Sequence, residues 1–375
     1  MDSSNKLFLL DAYALIYRAY YAFIKNPRIN SKGFNTSAIL GFVNTLEEVL
    51  KKENPTHIGV AFDPAGPTFR HEAFEQYKAQ REETPEAIRL SVPIIKDIIR
   101  AYRIPILEVA GYEADDVIGT LATEAGRQGI TTYMMTPDKD YGQLVSDKVF
   151  MYRPKHTGGF EVMGVEEVKA KFDIQSPAQV IDMLGLMGDS SDNIPGCPGV
   201  GEKTAQKLIS EFGSIENLLE HTDQLKGALK TKVETNREMI TFSKFLATIK
   251  IDVPIQLEMD SLVREEADED SLRSIFEELE FRTLIDRVLK KGVSGNGITS
   301  TPGSKVATGK SAPSPLPLFP EEGGAIQGDL FANFTGNEAG EAKKSNLETL
   351  ETLNCDYQLI DTEDKRAEII QKLLT

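Results

Sequence analysis

The sequence predicts an α/β fold, a central and mostly parallel sheet flanked by helices. Two observations carry this expectation. Short apolar runs alternate with amphipathic stretches through the first half of the chain, the pattern of strand-helix-strand units. Each expected strand also runs into an acidic residue just past its carboxyl end, the edge where open parallel sheets bind their ligands.

Taken in order, Leu7-Phe8-Leu9-Leu10 reads as a short buried strand ending at Asp11, and Ala12 to Ile24 as the helix after it. Thr36 to Lys52 is a second amphipathic helix, closed by Asn54-Pro55. His57 to Phe62 is the next strand and ends at Asp63-Pro64. Ile104 to Val109 is another, leading into Gly111-Tyr112-Glu113-Ala114-Asp115-Asp116-Val117. Ile130 to Met135 is the fourth, followed by Thr136-Pro137-Asp138-Lys139-Asp140.

Four strands thus deliver Asp11, Asp63, Glu113 and Asp138 to one edge, whereas the strand starts read Lys6, Thr56-His57, Arg103 and Gly129. Read as a helix start, the run from Glu113 needs a single capping carboxylate. It carries Glu113, Asp115 and Asp116, which repel one another, and Asp138 with Asp140 adds to the strain. A neighbouring cation would relieve it. A further acidic pair, Asp189 and Asp192 in Gly188-Asp189-Ser190-Ser191-Asp192-Asn193-Ile194-Pro195, would by itself read as a polar loop with Asx-turns. Beside the other carboxylates it reads as two more ligands, three residues apart. All candidates are oxygen donors and no histidine lies among them, so the expected ion is Mg²⁺, with Mn²⁺ a substitute. The acids suffice for two ions roughly 4 Å apart, which clamp both oxygens of a phosphoryl displacement.

Composition bounds the other classes. With 375 residues and 40% apolar side chains, the chain has room for one large or two modest domains. There is no run of about 18 apolar residues to span a membrane, and the polar start Met1 to Lys6 leads straight into a strand, which points away from a signal peptide and towards the cytoplasm. Cys197 and Cys355 provide neither a disulfide framework nor a thiolate zinc site. A net charge of −16 excludes a general basic coat but not a local basic track.

Two segments point to nucleic acid. Arg70, Lys78 and Arg81 recur at about helical spacing with Phe69, Phe74 and Tyr77 interleaved, so one face would meet phosphates while Tyr77 stacks on a base. A solvated helix with ordinary ion pairs is the alternative, since Glu72, Glu75, Glu82 and Glu83 are mixed in. The run Gly196-Cys197-Pro198-Gly199-Val200-Gly201-Glu202-Lys203-Thr204-Ala205 nearly fits a Walker A loop, but Glu202 intrudes and no apolar strand precedes it. It reads better as a helix, a tight hairpin at Gly199, Val200 and Gly201, and a helix from Glu202 to Phe212, with Gly213-Ser214 opening another. Lys203, Thr204 and the amides at the helix start would grip a phosphate.

Together with Phe62-Asp63, Phe69-Arg70 and Tyr77-Lys78, these motifs resemble the N-terminal 5′-nuclease domain of bacterial DNA polymerase I, in the flap endonuclease family. The match runs in order from about Lys6 to about Lys290. The resemblance implies a PIN-like or resolvase-like catalytic domain over 1–175, with a helical arch at 66–92 that passes a single-stranded 5′ end. It implies a helix-hairpin-helix subdomain over 176–290 that holds duplex, with a possible K⁺ bridging the hairpin to phosphate. Asp11, Asp63, Glu113, Asp115, Asp116, Asp138, Asp140, Asp189 and Asp192 fall on the family's metal positions. The implied activity is two-metal hydrolysis of DNA 5′ flaps, nicks and RNA primers in replication and repair. Arg70 and Lys78 are the residues expected to steer the scissile phosphate.

Residues 291–350 are rich in Gly, Ser, Thr and Pro and read as a flexible linker. Within them Gln327-Gly328-Asp329-Leu330-Phe331 resembles a peptide that docks on the sliding clamp, through Gln327, Leu330 and Phe331. Residues 351–375 resemble the truncated start of a 3′-5′ exonuclease-like domain, so a fragment of a DNA polymerase I, acting as a monomer, is expected. A binding module without catalysis would need a core acid replaced, and an NTPase is opposed by Glu202.

Overall fold

The computed structural model describes residues 5–155 and 158–289. The expected linker, clamp peptide and exonuclease-like start lie outside them. Six strands form one sheet: β1 (Lys6–Asp11), β2 (His57–Ala61), β3 (Ile106–Leu107), β4 (Thr131–Met135), β5 (Val149–Pro154) and β6 (Phe160–Met163). Their order is β3-β2-β1-β4-β5-β6, parallel throughout except for antiparallel β6. The chain therefore builds outward from β1 to β3, then returns to the other side of β1 with β4. This reversal is a topological switch point, and the carboxyl ends of β1 and β4 open onto it.

The first helices are α1 (Ala12–Ala22), α2 (Ser37–Lys52), α3 (Phe69–Ala73), α4 (Glu86–Ala101), α5 (Ala114–Arg127) and α6 (Val165–Phe172). There follow α7 (Val180–Met187), α8 (Glu202–Phe212), α9 (Ile215–Glu220), α10 (Gly227–Thr235), α11 (Arg237–Ala247), α12 (Glu269–Glu278) and α13 (Arg282–Val288). Side chains of a strand alternate between faces, and β1 shows the consequence. Phe8 and Leu10 pack with Ile39, Phe42, Leu46, Ile95 and Ile98 of α2 and α4. Leu7 and Leu9 pack with Val117, Ile118 and Leu121 of α5. Both faces are covered, which is why β1 reads as an unbroken apolar run.

Three features differ from the sequence expectation. The strand expected over Ile104 to Val109 shrinks to β3, at the sheet edge beside Pro105, which has no amide to donate. Strands β5 and β6 extend the sheet beyond the four expected. The segment 66–92 is not a continuous helix. It contains the five-residue α3, turns and irregular chain over 74–85, and the start of α4. Lys78 has φ 57°, which interrupts any helical spacing of Arg70, Lys78 and Arg81.

The helical second half does not have a core of its own. Leu184, Leu186, Val200, Leu208 and Ile209 share one apolar cluster with α5. Leu272, Phe276 and Leu284 of α12 and α13 return instead to the α2 and α4 side, so the last two helices pack with the first half of the chain.

Candidate metal centre and nucleic-acid interface

The rim is built by the elements that end there. Asp11 closes β1 and caps α1, its Oδ1 accepting from the Ala14 amide at 3.1 Å. Its Oδ2 accepts from the Tyr141 hydroxyl at 3.1 Å and Thr136 Oγ1 at 3.3 Å, both beyond β4. Asp63, after β2, accepts the Ala114 amide at 2.7 Å and so ties its strand to the start of α5. Asp138 caps the short 3₁₀ helix over Lys139–Leu144 by accepting from the Asp140 amide at 3.0 Å. Asp189 lies in the loop after α7, where its backbone pairs with Ile194 and its Oδ1 accepts from the Ser191 amide at 2.7 Å. The Asx-turn is therefore present, and it places Asp189 on a loop rather than on a helical turn.

These acids feel one another. Burial, then the Asp63 charge, raises Asp11 from 3.8 to about 7. Asp63 is raised by burial and by Glu113, against the pull of Lys78. Burial and Asp116 hold Asp115 well above the carboxylate range, and burial and Asp138 do the same for Asp140. Asp138 has an exposed outer face, yet local desolvation and then the charges of Asp192 and Asp189 still raise it. The Oδ1 atom of Asp140 is buried without a hydrogen-bond partner. An unpaired carboxylate oxygen in low dielectric is costly, and an added cation would satisfy it.

Among the described residues no three carboxylate, histidine or thiol side chains close into a finished ligand cage. Protein cations hold part of the rim instead. Lys78 Nζ lies 2.8 Å from Glu113 Oε1 and 3.7 Å from Asp192 Oδ2. Arg81 contacts Asp192 Oδ1 at 2.5 Å, and Lys139 contacts Asp189 Oδ2 at 3.1 Å. Burial alone would raise Glu113 and Asp192, but Lys78 with Arg70 outweighs it at Glu113, and Lys78 with Arg81 at Asp192, so both carboxyls lie below their ordinary values. The turn 76–81 is also tied to the acidic loop by backbone and side-chain amides. The Lys78 amide donates to Asp192 O at 3.0 Å, Gln80 to Ser190 O at 2.6 Å and Asn193 to Gln76 O at 2.6 Å.

Three expected site residues take other positions. Arg70 is 1% exposed. Its NH1 and NH2 donate to the two oxygens of Asp116, each at 2.8 Å, and its remaining donors reach the Leu246 and Thr248 carbonyls at 2.9 Å. It cannot face a phosphate because every nitrogen is engaged inside the protein. Asp116, itself fully buried, also accepts from the Glu113 and Lys250 amides, which takes it out of the open rim. Tyr77 is buried, its hydroxyl donating to Glu113 and Asp192 at 3.0 Å, so its ring has no face for a base. Two residues at the rim, Lys139 and Tyr141, are not among those the sequence points to. Lys139 was open to inference, because two flanking aspartates need a counter-charge; Tyr141 carried no such signal.

The hairpin lies where expected. Gly199 has φ 77°, Val200 is buried, and Gly201 caps α8 without a side-chain hydrogen bond. The Glu202 and Lys203 amides of the first turn thus have no partner within the helix. Lys203 is exposed and Thr204 half-buried beside it.

Residues 6–173 match the family model described as the 5′-3′ exonuclease N-terminal resolvase-like domain, and residues 175–270 the 5′-3′ exonuclease C-terminal SAM fold. DNA polymerase I of Bacillus caldotenax is 42% identical over 287 residues, covering 76% of this chain and 32% of that protein. DNA polymerase I of Bacillus subtilis (strain 168) is 43% identical over 291 residues, 77% of this chain and 33% of that one. The chain spans about a third of the length of these relatives. Among solved structures, T5 5′-exonuclease with divalent metal ions (zinc) bound superimposes with a TM-score of 0.55 at 21% identity, over 74% of this chain and 99% of that one. The catalytic core of Rad2 in complex with DNA substrate gives 0.53 at 18%, over 77% and 93%. At these identities the likeness is one of fold.

Proposed function

The chain belongs to the 5′-3′ exonuclease family, and from that membership we propose that it hydrolyses phosphodiester bonds at DNA 5′ flaps, nicks and RNA primers with the help of two divalent ions. The relatives named DNA polymerase I support placing the activity in replication and repair, and support a polymerase attached to the same protein. Cytoplasmic location and action as a monomer belong to the same reading; among the described residues no helix is long and apolar enough to cross a membrane.

The observation that carries the proposal is the unpaired, buried Asp140 oxygen within a rim of carboxyls that raise one another's pKa. The donor set fits hard ions, since it is all oxygen. Asp11, Asp63, Glu113, Asp115, Asp138, Asp140, Asp189 and Asp192 would hold Mg²⁺, with Mn²⁺ as substitute, whereas Asp116 serves by fixing Arg70 and the Glu113 amide. When bound, such ions supply a more acidic water and stabilise a departing 3′ oxygen. Lys78 meets the scissile phosphate by exchanging its contacts with Glu113 and Asp192 for phosphate oxygens, and Arg81 follows with its half-exposed guanidinium. Tyr77 keeps Glu113 and Asp192 in place during that exchange. Gly199, Val200, Gly201, Lys203 and Thr204 hold the duplex backbone, and a K⁺ at the hairpin is part of the same reading.

The test is a 5′-labelled flap substrate with and without Mg²⁺, using the intact chain and Asp138→Ala. Cleavage that requires Mg²⁺ and disappears in the variant, with flap binding retained, is expected. Metal-independent cleavage, or full activity in Asp138→Ala, would refute the assignment. The Gln327, Leu330 and Phe331 peptide is proposed to dock on the sliding clamp, and unchanged clamp affinity in a Leu330→Ala, Phe331→Ala double variant removes that idea.

A further inference from the structure

The hairpin before α8 has a neighbour that its own sequence does not announce. Lys232, on α10, is 33 residues from Gly199, and its Nζ donates to the Gly199 carbonyl at 3.3 Å. Glycine leaves that ammonium room, since a Cβ at residue 199 would lie 2.4 Å from it, and the φ of 77° there favours glycine as well. The lysine's backbone is well anchored. Adjacent Val233 is fully buried in the cluster that contains Cys197 and Val200. The Cys197 thiol donates to the Lys232 carbonyl at 3.8 Å, as does Asn236 Nδ2 at 2.8 Å.

We propose that Lys232 is a further phosphate-contacting residue of the hairpin, a cation presented from α10 at the mouth formed by Gly199 and the start of α8. An ammonium has three donors, and one is used on Gly199. Lys232 is exposed and, among the described residues, no carboxylate pairs with it. Its near neighbour Lys230 is instead paired with Glu234 at 3.8 Å. A chain of net charge −16 must concentrate positive charge where it meets a phosphate backbone, and Lys232 supplies a positive charge at the Gly199 carbonyl, two residues before the glycine cap of α8. A backbone contact of this kind strengthens binding to every sequence alike.

The inference rests on the proposal that the hairpin holds duplex, and the experiment separates the two. Binding of a fluorescent nicked duplex to the full chain, with divalent ions chelated, is followed over a NaCl series for the parent, Lys232→Gln and Lys232→Arg. Loss of one phosphate contact lowers the slope of log affinity against log salt by about one. Lys232→Gln is expected to show that drop and a several-fold weaker complex at low salt, with an unchanged melting temperature, and Lys232→Arg to restore both. A parental slope in Lys232→Gln overturns the inference alone. So does a fall in melting temperature that Arg fails to rescue, which would make the lysine a structural brace. A parent that binds nicked duplex no better than single strand overturns the hairpin reading and this inference with it.

Discussion

Arg70 is held inside the protein, its charge balanced by a buried carboxylate. Its guanidinium and Asp116 form a two-point pair with no solvent contact. Removing one partner of a buried pair strands the other charge, and Arg70→Ala is expected to lower stability by about 3–5 kcal/mol in urea unfolding. A loss below about 1 kcal/mol, the range of a surface ion pair, would contradict the burial. The rim acids make a second prediction. Asp11 has its folded-state pKa raised to about 7 from 3.8, so its protonated form contributes stability fully below the unfolded value, and that contribution is lost as pH rises through about 7. Glu113 and Asp192 lie below their ordinary values and stay ionised throughout that window; Asp115 and Asp140, raised by burial like Asp11, add to the loss, and His57 and His71, lowered by burial, offset part of it. The melting temperature in chelator should therefore fall from pH 6 to pH 8, and the increment gained from Mg²⁺ should grow over the same range, because protons compete with the metal. An increment independent of pH would remove Asp11 from the metal site.

At the scale of elements, the loop between α7 and α8 does two jobs, placing Asp189 and Asp192 at one end and the hairpin at the other. Its path is tight: Gly188 has φ 74° and a Cβ there would lie 2.4 Å from the Ile194 carbonyl. A methyl at residue 188 must push the loop away from the rim. Gly188→Ala is expected to weaken Mn²⁺ binding by at least about tenfold, the effect of disturbing a ligand's supports, with helical circular dichroism retained. Parental Mn²⁺ affinity would show that the loop does not place the acids. The α8 helix was legible from Glu202 to Phe212 because a Gly-Val-Gly turn precedes it and its apolar positions follow one stripe. Segment 66–92 was not legible. Its cations suggested helical spacing, but Lys78 and Arg81 sit where they do because Asp192 attracts them across more than 100 residues of sequence, and Arg70 turns inward to Asp116 instead.

At the scale of the molecule, α12 and α13 close the fold by bringing Leu272, Phe276 and Leu284 into the α2 and α4 core. Relative to a chain ending at residue 289, one ending at 268 exposes that core and should lose several kcal/mol, on the scale of about 1.5–3 kcal/mol per large apolar side chain. Equal melting temperatures for the two would show that the helices are dispensable. From sequence alone came the parallel sheet, the delivery of Asp11, Asp63, Glu113 and Asp138 to one edge, and the hairpin, because strand periodicity and turn chemistry are local properties. Tertiary structure alone decided which charges remain at the surface. Asp116 and Arg70 neutralise each other inside, Tyr77 turns inward, and Lys78 and Lys139 settle among the acids, since burial and charge pairing depend on neighbours that only the folded chain supplies.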